Sequence, residues 1–382
     1  MKCEKLFAKI DELQQEYLQF WIDVCNIESP TNHKPGVDAV GRYFAEKAAK
    51  YGWQVEIHHE DVSGDAVCIT MNPDAKAAPV CISGHMDTVH PVGSFGTPAV
   101  RVEGDLIYGP GVKDCKGGAV AGFYAMAALA ECGFTARPVK LILQSDEENS
   151  SATSKKGTVR FMAEQAKDAI GFFNTEGYQR DKVCLQRKGI LKSRLTITGA
   201  ATHASRCFKG VSAVREAAYK IIELEKFKDK DGITCNCGII HGGTTINVVP
   251  ESCTIDVDTR FATAAQLEEA KKYIGDIAAK SFVEGSACKW EILSIRDCME
   301  DCERNRNLFD RFNEICVANG LPEMGVRVNT GGSDAADMTT YGIPTVDSIG
   351  VVGEGTHSIR EVAEIPSLAE SAKRLAAVAW CI

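Results

Sequence analysis

Six acidic and imidazole side chains spread along this chain have the chemistry to hold a pair of divalent metal ions. They are His85, Asp114, Glu147, Glu148, Glu176 and His357. Imidazoles mixed with carboxylates suit zinc, cobalt or manganese at a site that keeps an open position, whereas closed structural zinc sites are built largely from thiolates. Two metal ions that act together need a bridging ligand, and a carboxylate can serve as one. The sequence therefore predicts a dinuclear metal site of the catalytic type.

The spacing of these residues indicates the role of each in the predicted site. His85 and Asp87 are two positions apart at a predicted strand end, so Asp87 can orient His85 or a neighbouring ligand. Asp114 lies in a glycine-rich turn that permits close backbone approach, which makes it the natural bridging ligand. Because Glu147 and Glu148 are consecutive in the chain, their side chains should point in different directions. One of them would bind metal, while the other would take a proton from the attacking water and pass it to the leaving nitrogen.

The elements that must position these residues alternate between buried strands and helices. Strands are predicted at 55–58, 66–71, 79–84, 139–144, 169–174 and 344–349, and helices at 4–27, 37–51, 117–132, 154–167 and 366–380. This alternation predicts an α/β fold with a mostly parallel sheet flanked by helices. Four of the candidate ligand positions follow strand ends, where ligands of such sheets gather.

Residues 183–297 follow a different pattern, which predicts an inserted domain. Strands are expected at 185–198, 233–248, 254–261 and 288–295, and helices at 211–227 and 264–283. The order β-α-β-β-α-β is that of the ferredoxin-like α+β unit. We therefore expect a lid domain at 183–297, inserted into a catalytic domain formed by 1–182 and 298–382.

Composition limits the classes of function. A length of 382 residues favours two domains, and a net charge of −9 argues against nucleic acid as a partner. The N-terminus has the pattern of an amphipathic helix rather than a signal peptide, and no run approaches the ~20 apolar residues of a membrane span. These features predict a cytoplasmic protein with no membrane partner.

Five histidines and most of the cysteines are predicted to be ordinary surface or structural residues. Sixteen cysteines are scattered without any C-x-x-C motif, which indicates reduced, mostly structural thiols. Five histidines are interpreted as polar surface residues: His33, His58, His59, His90 and His241.

Six motifs together resemble one enzyme family over nearly the whole chain. They are H-M-D-T-V, G-x-x-D-x-K-G-G, D-E-E, T-H-A, N-V-V-P and G-T-H-S. The chain resembles the co-catalytic zinc peptidases and deacylases, which include glutamate carboxypeptidase, acetylornithine deacetylase, succinyl-diaminopimelate desuccinylase, aminoacylase and the tripeptidase. The resemblance implies a zinc-peptidase-like fold with two zinc ions per subunit. It assigns one zinc to His85 and Glu176 and the other to Glu148 and His357, with Asp114 as the bridge, Glu147 as the general base and Asp87 as the partner of His85.

The resemblance also assigns roles outside the metal cluster. His203, in A-A-T-H-A-S, matches a histidine that enters the active site of the partner subunit and steadies the oxyanion, which implies a homodimer formed through the lid domain. Asn247 and Arg260 match residues that hold the carboxylate end of the substrate, and a guanidinium does bind a carboxylate in a bidentate manner. Gly332 and Ser333 match a loop that closes over the substrate.

The sequence leaves three functions open. The first is cleavage of a C-terminal peptide bond next to a free carboxylate, because the motifs are nearest to the glutamate carboxypeptidase branch. The second is removal of an acyl group from an N-acyl amino acid, as in the deacetylases and desuccinylases. The third is a non-catalytic relative that binds an amino acid. The chain departs from the family pattern at Cys115, which follows the predicted bridging aspartate where methionine is common and suggests sensitivity to oxidants.

Overall fold

A computed structural model describes residues 3–382. The helices are α1 (Glu4–Asn26), α2 (Lys34–Lys50), α3 (Lys116–Glu131), α4 (Gly157–Gln165), α5 (Ala213–Leu224), α6 (Ala264–Ala279), α7 (Glu303–Ala318), α8 (Asp334–Thr340) and α9 (Pro366–Cys381). The strands are β1 (Gln54–His58), β2 (Ala66–Met71), β3 (Val80–His85), β4 (Arg101–Glu103), β5 (Leu106–Tyr108), β6 (Val139–Gln144), β7 (Gly171–Asn174), β8 (Lys182–Arg187), β9 (Gly189–Thr198), β10 (Thr234–Gly242), β11 (Ser252–Phe261), β12 (Ala287–Arg296), β13 (Gly325–Asn329), β14 (Thr345–Val346), β15 (Gly353–Glu354) and β16 (Val362–Glu364).

The chain divides into two compact units. Unit 1 contains Asp301–Val328 and Ser333–Ile382 together with the chain up to Leu185, and unit 2 contains Gln186–Glu300 and Asn329–Gly332. No helix within residues 3–382 is long and apolar enough to cross a membrane.

The main sheet of unit 1 is mostly parallel. Its strand order is β1-β2-β6-β3-β7-β14, in which β6, β3, β7 and β14 run parallel and β2 is antiparallel to both of its neighbours. Every residue of β2 and β3 is buried, as expected for strands covered on both faces, whose sequences are nearly continuous apolar runs. The predicted α/β fold class is therefore confirmed.

Helices α1 and α3 are locked together beside the sheet. The apolar side chains of α1 recur at steps of three and four residues, and α3 is buried on nearly all sides. The indole Nε1 of Trp21 donates a hydrogen bond to the carbonyl oxygen of Val112 over 3.1 Å. A Cβ at Gly117 would lie 2.3 Å from that same oxygen, so only glycine fits there. These contacts fix the start of α3, just after the candidate ligand Asp114.

A second, small sheet in unit 1 was not predicted. Its order is β15-β16-β5-β4, and Val362 of β16 pairs with Tyr108 of β5. Strands of two or three residues are too short for the alternation of apolar and polar positions to reveal them. The sheet brings the loop 109–114 next to the loop 355–361, which carries His357.

Unit 2 has the predicted order of elements, β9-α5-β10-β11-α6-β12. Its sheet is antiparallel with the strand order β10-β11-β9-β12, and β11 alternates between buried and more exposed residues because one face meets the core. The prediction of one strand over 233–248 is too long. β10 ends at Gly242, where Gly243 takes a φ of +81° and turns the chain into a loop.

Candidate active site

His85 is the last residue of β3 and is held in one orientation. Its Nδ1 lies 2.9 Å from the carbonyl oxygen of Asp87 and 3.3 Å from the carboxylate of the same residue. A proton on Nδ1 is donated there, so the lone pair of Nε2 is free to bind a metal ion. Nε2 lies 3.1 Å from Asp114 Oδ1 and 3.7 Å from Glu176 Oε1.

Asp114 lies between two imidazoles and contacts each through a different oxygen. Its Oδ1 is the atom near His85, and its Oδ2 lies 3.3 Å from Nε2 of His357. The same Nε2 of His357 lies 3.1 Å from Glu148 Oε2. Ligand atoms of His85, Asp114 and Glu148 all lie within 4.8 Å of one another. A carboxylate shared in this way has the arrangement of a bridging ligand.

Burial and the two histidines shift the pKa values of this cluster in opposite directions. Burial and the neighbouring Asp114 raise the pKa of Glu148 to about 8, against the effect of its hydrogen bond to His357. Hydrogen bonds to Asp114 and Glu148 raise the pKa of His357 to about 10. Burial opposes ionisation of Asp114, yet its bonds to His357 and His85 hold the pKa of this carboxyl well below its usual range. A carboxyl group such as that of Glu148 loses its proton when a divalent cation binds, and Asp114 is already ionised, so the donor set fits such ions.

Asp87 joins two segments of the site. Its carboxylate is fully buried and accepts hydrogen bonds from the backbone N–H groups of Glu147 (3.1 Å) and Glu148 (3.2 Å) and from the hydroxyl of Thr31 (2.7 Å). These bonds fix the start of the 3-10 helix Glu147–Asn149, which follows β6. Since Asp87 also contacts His85, one buried carboxylate sets the positions of both acidic residues and of the imidazole.

Two glycines allow other segments of the chain to pack closely against the turn that carries Glu176. A Cβ at Gly118 would lie 2.0 Å from the carbonyl oxygen of Thr175, and one at Gly350 would lie 2.1 Å from the same oxygen. The start of α3 and the chain after β14 therefore both close on the turn that carries Glu176. Cys115 is buried in this contact, and its Sγ accepts the N–H of His85 over 3.4 Å.

Glu361, which belongs to none of the predicted motifs, organises the loop that carries Asp114. This carboxylate is 1% exposed and accepts hydrogen bonds from the backbone N–H groups of Gly111 (3.2 Å), Lys113 (2.9 Å) and Asp114 (3.0 Å). It also accepts a hydrogen bond from His90 Nε2 over 2.8 Å. The interpretation of His90 as a polar surface residue is wrong, because its side chain is buried against Glu361.

Replacement of Glu361 by glutamine should weaken metal binding about 10- to 100-fold. The N–H groups of Lys113 and Asp114 bind one carboxylate oxygen, and that of Gly111 binds the other. An amide has a single acceptor oxygen, so the loop that presents Asp114 loses part of its support. Competition with a chromophoric chelator measures the affinity for zinc. Glu354→Gln is the matched control, because Glu354 is exposed on the same small sheet and should leave the affinity unchanged. An unchanged affinity in Glu361→Gln protein would rule out this positioning role.

Unit 2 contains the three residues predicted to contact substrate from the lid: His203, Asn247 and Arg260. His203 is exposed and its Nδ1 accepts a hydrogen bond from the N–H of Ser205, so the proton of the neutral ring is on Nε2. The exposed Asn247 lies near His203, because the backbone carbonyl oxygen of Asn247 accepts a hydrogen bond from the backbone N–H of Ala204 over 2.9 Å. Arg260 binds Asp258 in a bidentate manner, through Nε (2.6 Å) and Nη2 (3.1 Å). Its guanidinium is thus already oriented by a carboxylate two residues away on β11.

The predicted closing loop falls at the boundary between the units. Gly332 belongs to unit 2, where its carbonyl oxygen accepts a hydrogen bond from Arg187 over 3.1 Å. Ser333 belongs to unit 1 and is buried. Its hydroxyl donates to Asp347 and accepts the N–H of Ala335, which caps α8. The roles of these two residues toward substrate remain predictions.

Comparison with known proteins identifies relatives over most of the chain. The sequence model of peptidase family M20/M25/M40 matches residues 81–380. Carboxypeptidase G2 from Pseudomonas sp. (strain RS-16) is 27% identical, over 97% of this chain and 91% of that protein. Succinyl-diaminopimelate desuccinylase from Gluconobacter oxydans (strain 621H) is 23% identical, over 76% of this chain and 77% of that protein. The structure of a tripeptidase from Staphylococcus aureus has the same fold, with a TM-score of 0.80, 20% identity and coverage of 96% of this chain and 98% of that one.

Proposed function

Because this chain belongs to peptidase family M20/M25/M40 and is therefore a metal-dependent hydrolase, we propose that it cleaves the C-terminal peptide bond of small peptides, next to a free carboxylate. The observation that carries the hydrolytic chemistry is the position of Asp114 between the Nε2 atoms of His85 and His357. The carboxypeptidase activity is supported by the similarity to carboxypeptidase G2 over nearly the full length.

Two zinc ions per subunit are proposed to occupy this cluster. His85 and Glu176 would hold one, Glu148 and His357 would hold the other, and Asp114 would belong to both. Divalent cations bound there supply Lewis acidity and a nucleophilic water near neutral pH. Cobalt and manganese are accepted by the same donor types.

The residues of the chain divide the remaining work. Glu147, which is 9% exposed, would take a proton from the attacking water and deliver it to the leaving nitrogen. Asp87 would keep His85 and the turn at Glu147 in place. Exclusion of bulk water around Glu147 strengthens its effect on the charge that develops during the reaction.

The domain predicted at 183–297, which covers most of unit 2, is proposed to act as a lid and dimerisation domain inserted into a catalytic domain formed by 1–182 and 298–382. His203 would donate a hydrogen bond from Nε2 to the oxyanion in the active site of the partner subunit. Asn247 and Arg260 would hold the free carboxylate of the substrate, with Gly332 and Ser333 in the closing loop. A cytoplasmic location also remains a prediction.

Deacylation of N-acyl amino acids is the second candidate function, because the desuccinylase aligns over three quarters of this chain. It uses the same residues and differs only in the group that is removed. A non-catalytic amino-acid-binding relative is a third possibility, but it would have no need for Glu147 beside a complete set of metal ligands.

A substrate panel separates these candidates. Protein loaded with zinc, cobalt or manganese is incubated with dipeptides and with N-acetyl and N-succinyl amino acids, and products are measured by mass spectrometry. We expect dipeptides with a C-terminal acidic residue to give the highest kcat/KM. If products form only from the N-acetyl or N-succinyl amino acids, deacylation replaces the carboxypeptidase proposal. If the protein binds an amino acid tightly but hydrolyses no compound of the panel, it is the non-catalytic binding protein.

A further inference from the structure

A cavity in unit 1 lies directly beside the candidate metal ligands. It has a volume of about 360 Å³, and its lining includes Lys113, Gly177, Arg180, Arg327 and Glu354. Lys113 precedes Asp114 in the chain, and Gly177 follows Glu176. Two residues of the lining are therefore chain neighbours of candidate metal ligands, so the cavity lies close enough to receive part of a molecule whose reacting bond is at the cluster.

Lys113 presents a positive charge at the junction of the cavity and the cluster. Its Nζ donates a hydrogen bond to the hydroxyl of Thr356, the residue before His357, over 3.0 Å. The side chain crosses Gly177, where an added Cβ would lie 2.6 Å from Lys113 Cε. No carboxylate of residues 3–382 lies within ion-pair distance of Lys113, so its charge is not neutralised by the chain.

Arg327 supplies a second cation whose hydrogen-bonding capacity is largely unused. Of the five N–H donors of its guanidinium, one on Nη2 donates to the carbonyl oxygen of Gly177 over 3.2 Å. Its Nε is buried and has no hydrogen-bond partner in the described part of the chain. A buried donor of this kind destabilises the folded protein unless a ligand accepts its hydrogen bond.

The other charges of the cavity do not cancel these two cations. Arg180 pairs with Glu364, which also lines the cavity, and with Glu370, so these three side chains together carry one net negative charge, but all three are partly exposed and solvent screens it. Glu354 is exposed, so solvent and salt screen its charge. Lys113 and Arg327, whose side-chain hydrogen bonds go to neutral oxygens, therefore favour an anionic group between them.

We propose that Lys113 and Arg327 form a subsite for a carboxylate on the acyl side of the scissile bond. This proposal rests on the proposed hydrolytic function and adds a substrate class, namely peptides in which an acidic residue precedes the bond that is cleaved. Lys113 contributes a point charge, and the planar guanidinium of Arg327 suits the two oxygens of a carboxylate. This carboxylate is distinct from the C-terminal one that Asn247 and Arg260 are proposed to hold.

The test compares two dipeptides that differ only in this charge, Glu-Xaa and Gln-Xaa, with Xaa the C-terminal residue that the panel favours. Wild-type protein should have a kcat/KM about tenfold higher for Glu-Xaa, as expected for one charge-assisted hydrogen bond. Lys113→Gln and Arg327→Gln should each remove about that tenfold advantage, chiefly through KM, and leave Gln-Xaa within about twofold of wild type. An equal rate for both dipeptides in wild-type protein would overturn the proposal, as would an equal loss for both in the variants.

Arg160→Gln is the matched control, because Arg160 lines a different cavity of unit 1 and its loss changes the net charge equally. It should leave both dipeptides unaffected. If wild-type protein hydrolyses neither dipeptide, the proposed function fails and binding tests the subsite instead. Calorimetry with glutarate on zinc-loaded protein should then give about tenfold weaker binding for Lys113→Gln than for wild type and Arg160→Gln. Equal binding to all three proteins would overturn the subsite by itself.

Discussion

Glu147→Gln protein should keep its bound metal and lose turnover by about two to four orders of magnitude. The amide has the same shape as the carboxylate but cannot accept the proton of the attacking water. The turn itself should survive, because the contact between this position and Asp87 runs through the backbone N–H. Steady-state rates on the best dipeptide, with metal content by inductively coupled plasma mass spectrometry, measure both quantities on the same sample.

The matched control for this change is Glu164→Gln. Glu164 is an exposed residue of α4 in the same unit, and its replacement should leave turnover within about twofold, as for most surface substitutions. Substantial turnover in Glu147→Gln protein would remove Glu147 from the role of general base. Loss of metal together with activity would instead make Glu147 a ligand, and the division of labour with Glu148 would have to be revised.

The parts of the site carried by long buried strands could be predicted from the sequence. β3 and β6 are six-residue strands of mostly buried residues, and their ends locate His85 and the pair Glu147 and Glu148. An apolar run of that length has few interpretations in an α/β protein. Polar residues directly after it must therefore emerge at the edge of the sheet.

No long buried strand leads to Asp114 or His357, so the sequence pattern could not predict how close these two residues lie. Both depend on the small sheet of β4, β5, β15 and β16, whose strands are two or three residues long. The role of Glu361 was hidden for a related reason. Its main partners are backbone N–H groups, which any residue type can supply, so no pattern of side chains marks them.

The sequence around Arg260 contains a further signal, which predicts the partner of its guanidinium. Asp258 and Arg260 are two residues apart on β11, so their side chains lie on the same face of the sheet. The motif D-T-R therefore predicts the ion pair that the structure contains. A substrate carboxylate would meet a guanidinium that is already oriented, with its charge partly balanced by Asp258.

His203→Ala protein should lose about 10²–10³-fold in turnover, as expected when one donor to an oxyanion is removed. Its activity should return in part when it is mixed with Glu147→Gln protein. If His203 serves the active site of the partner subunit, each hybrid dimer has one site with both Glu147 and His203 intact. Random exchange makes half of the dimers hybrids, so an equal mixture should reach about one quarter of the wild-type rate.

The control mixture combines Glu147→Gln protein with the double variant Glu147→Gln, His203→Ala. It forms the same hybrids but contains no intact Glu147, so it should stay inactive. Native mass spectrometry of tagged subunits establishes that exchange has occurred. With hybrids present and no gain in rate over the sum of the two variants, His203 would act within its own subunit or not at all, because only a shared site can be rebuilt from two subunits that are each defective.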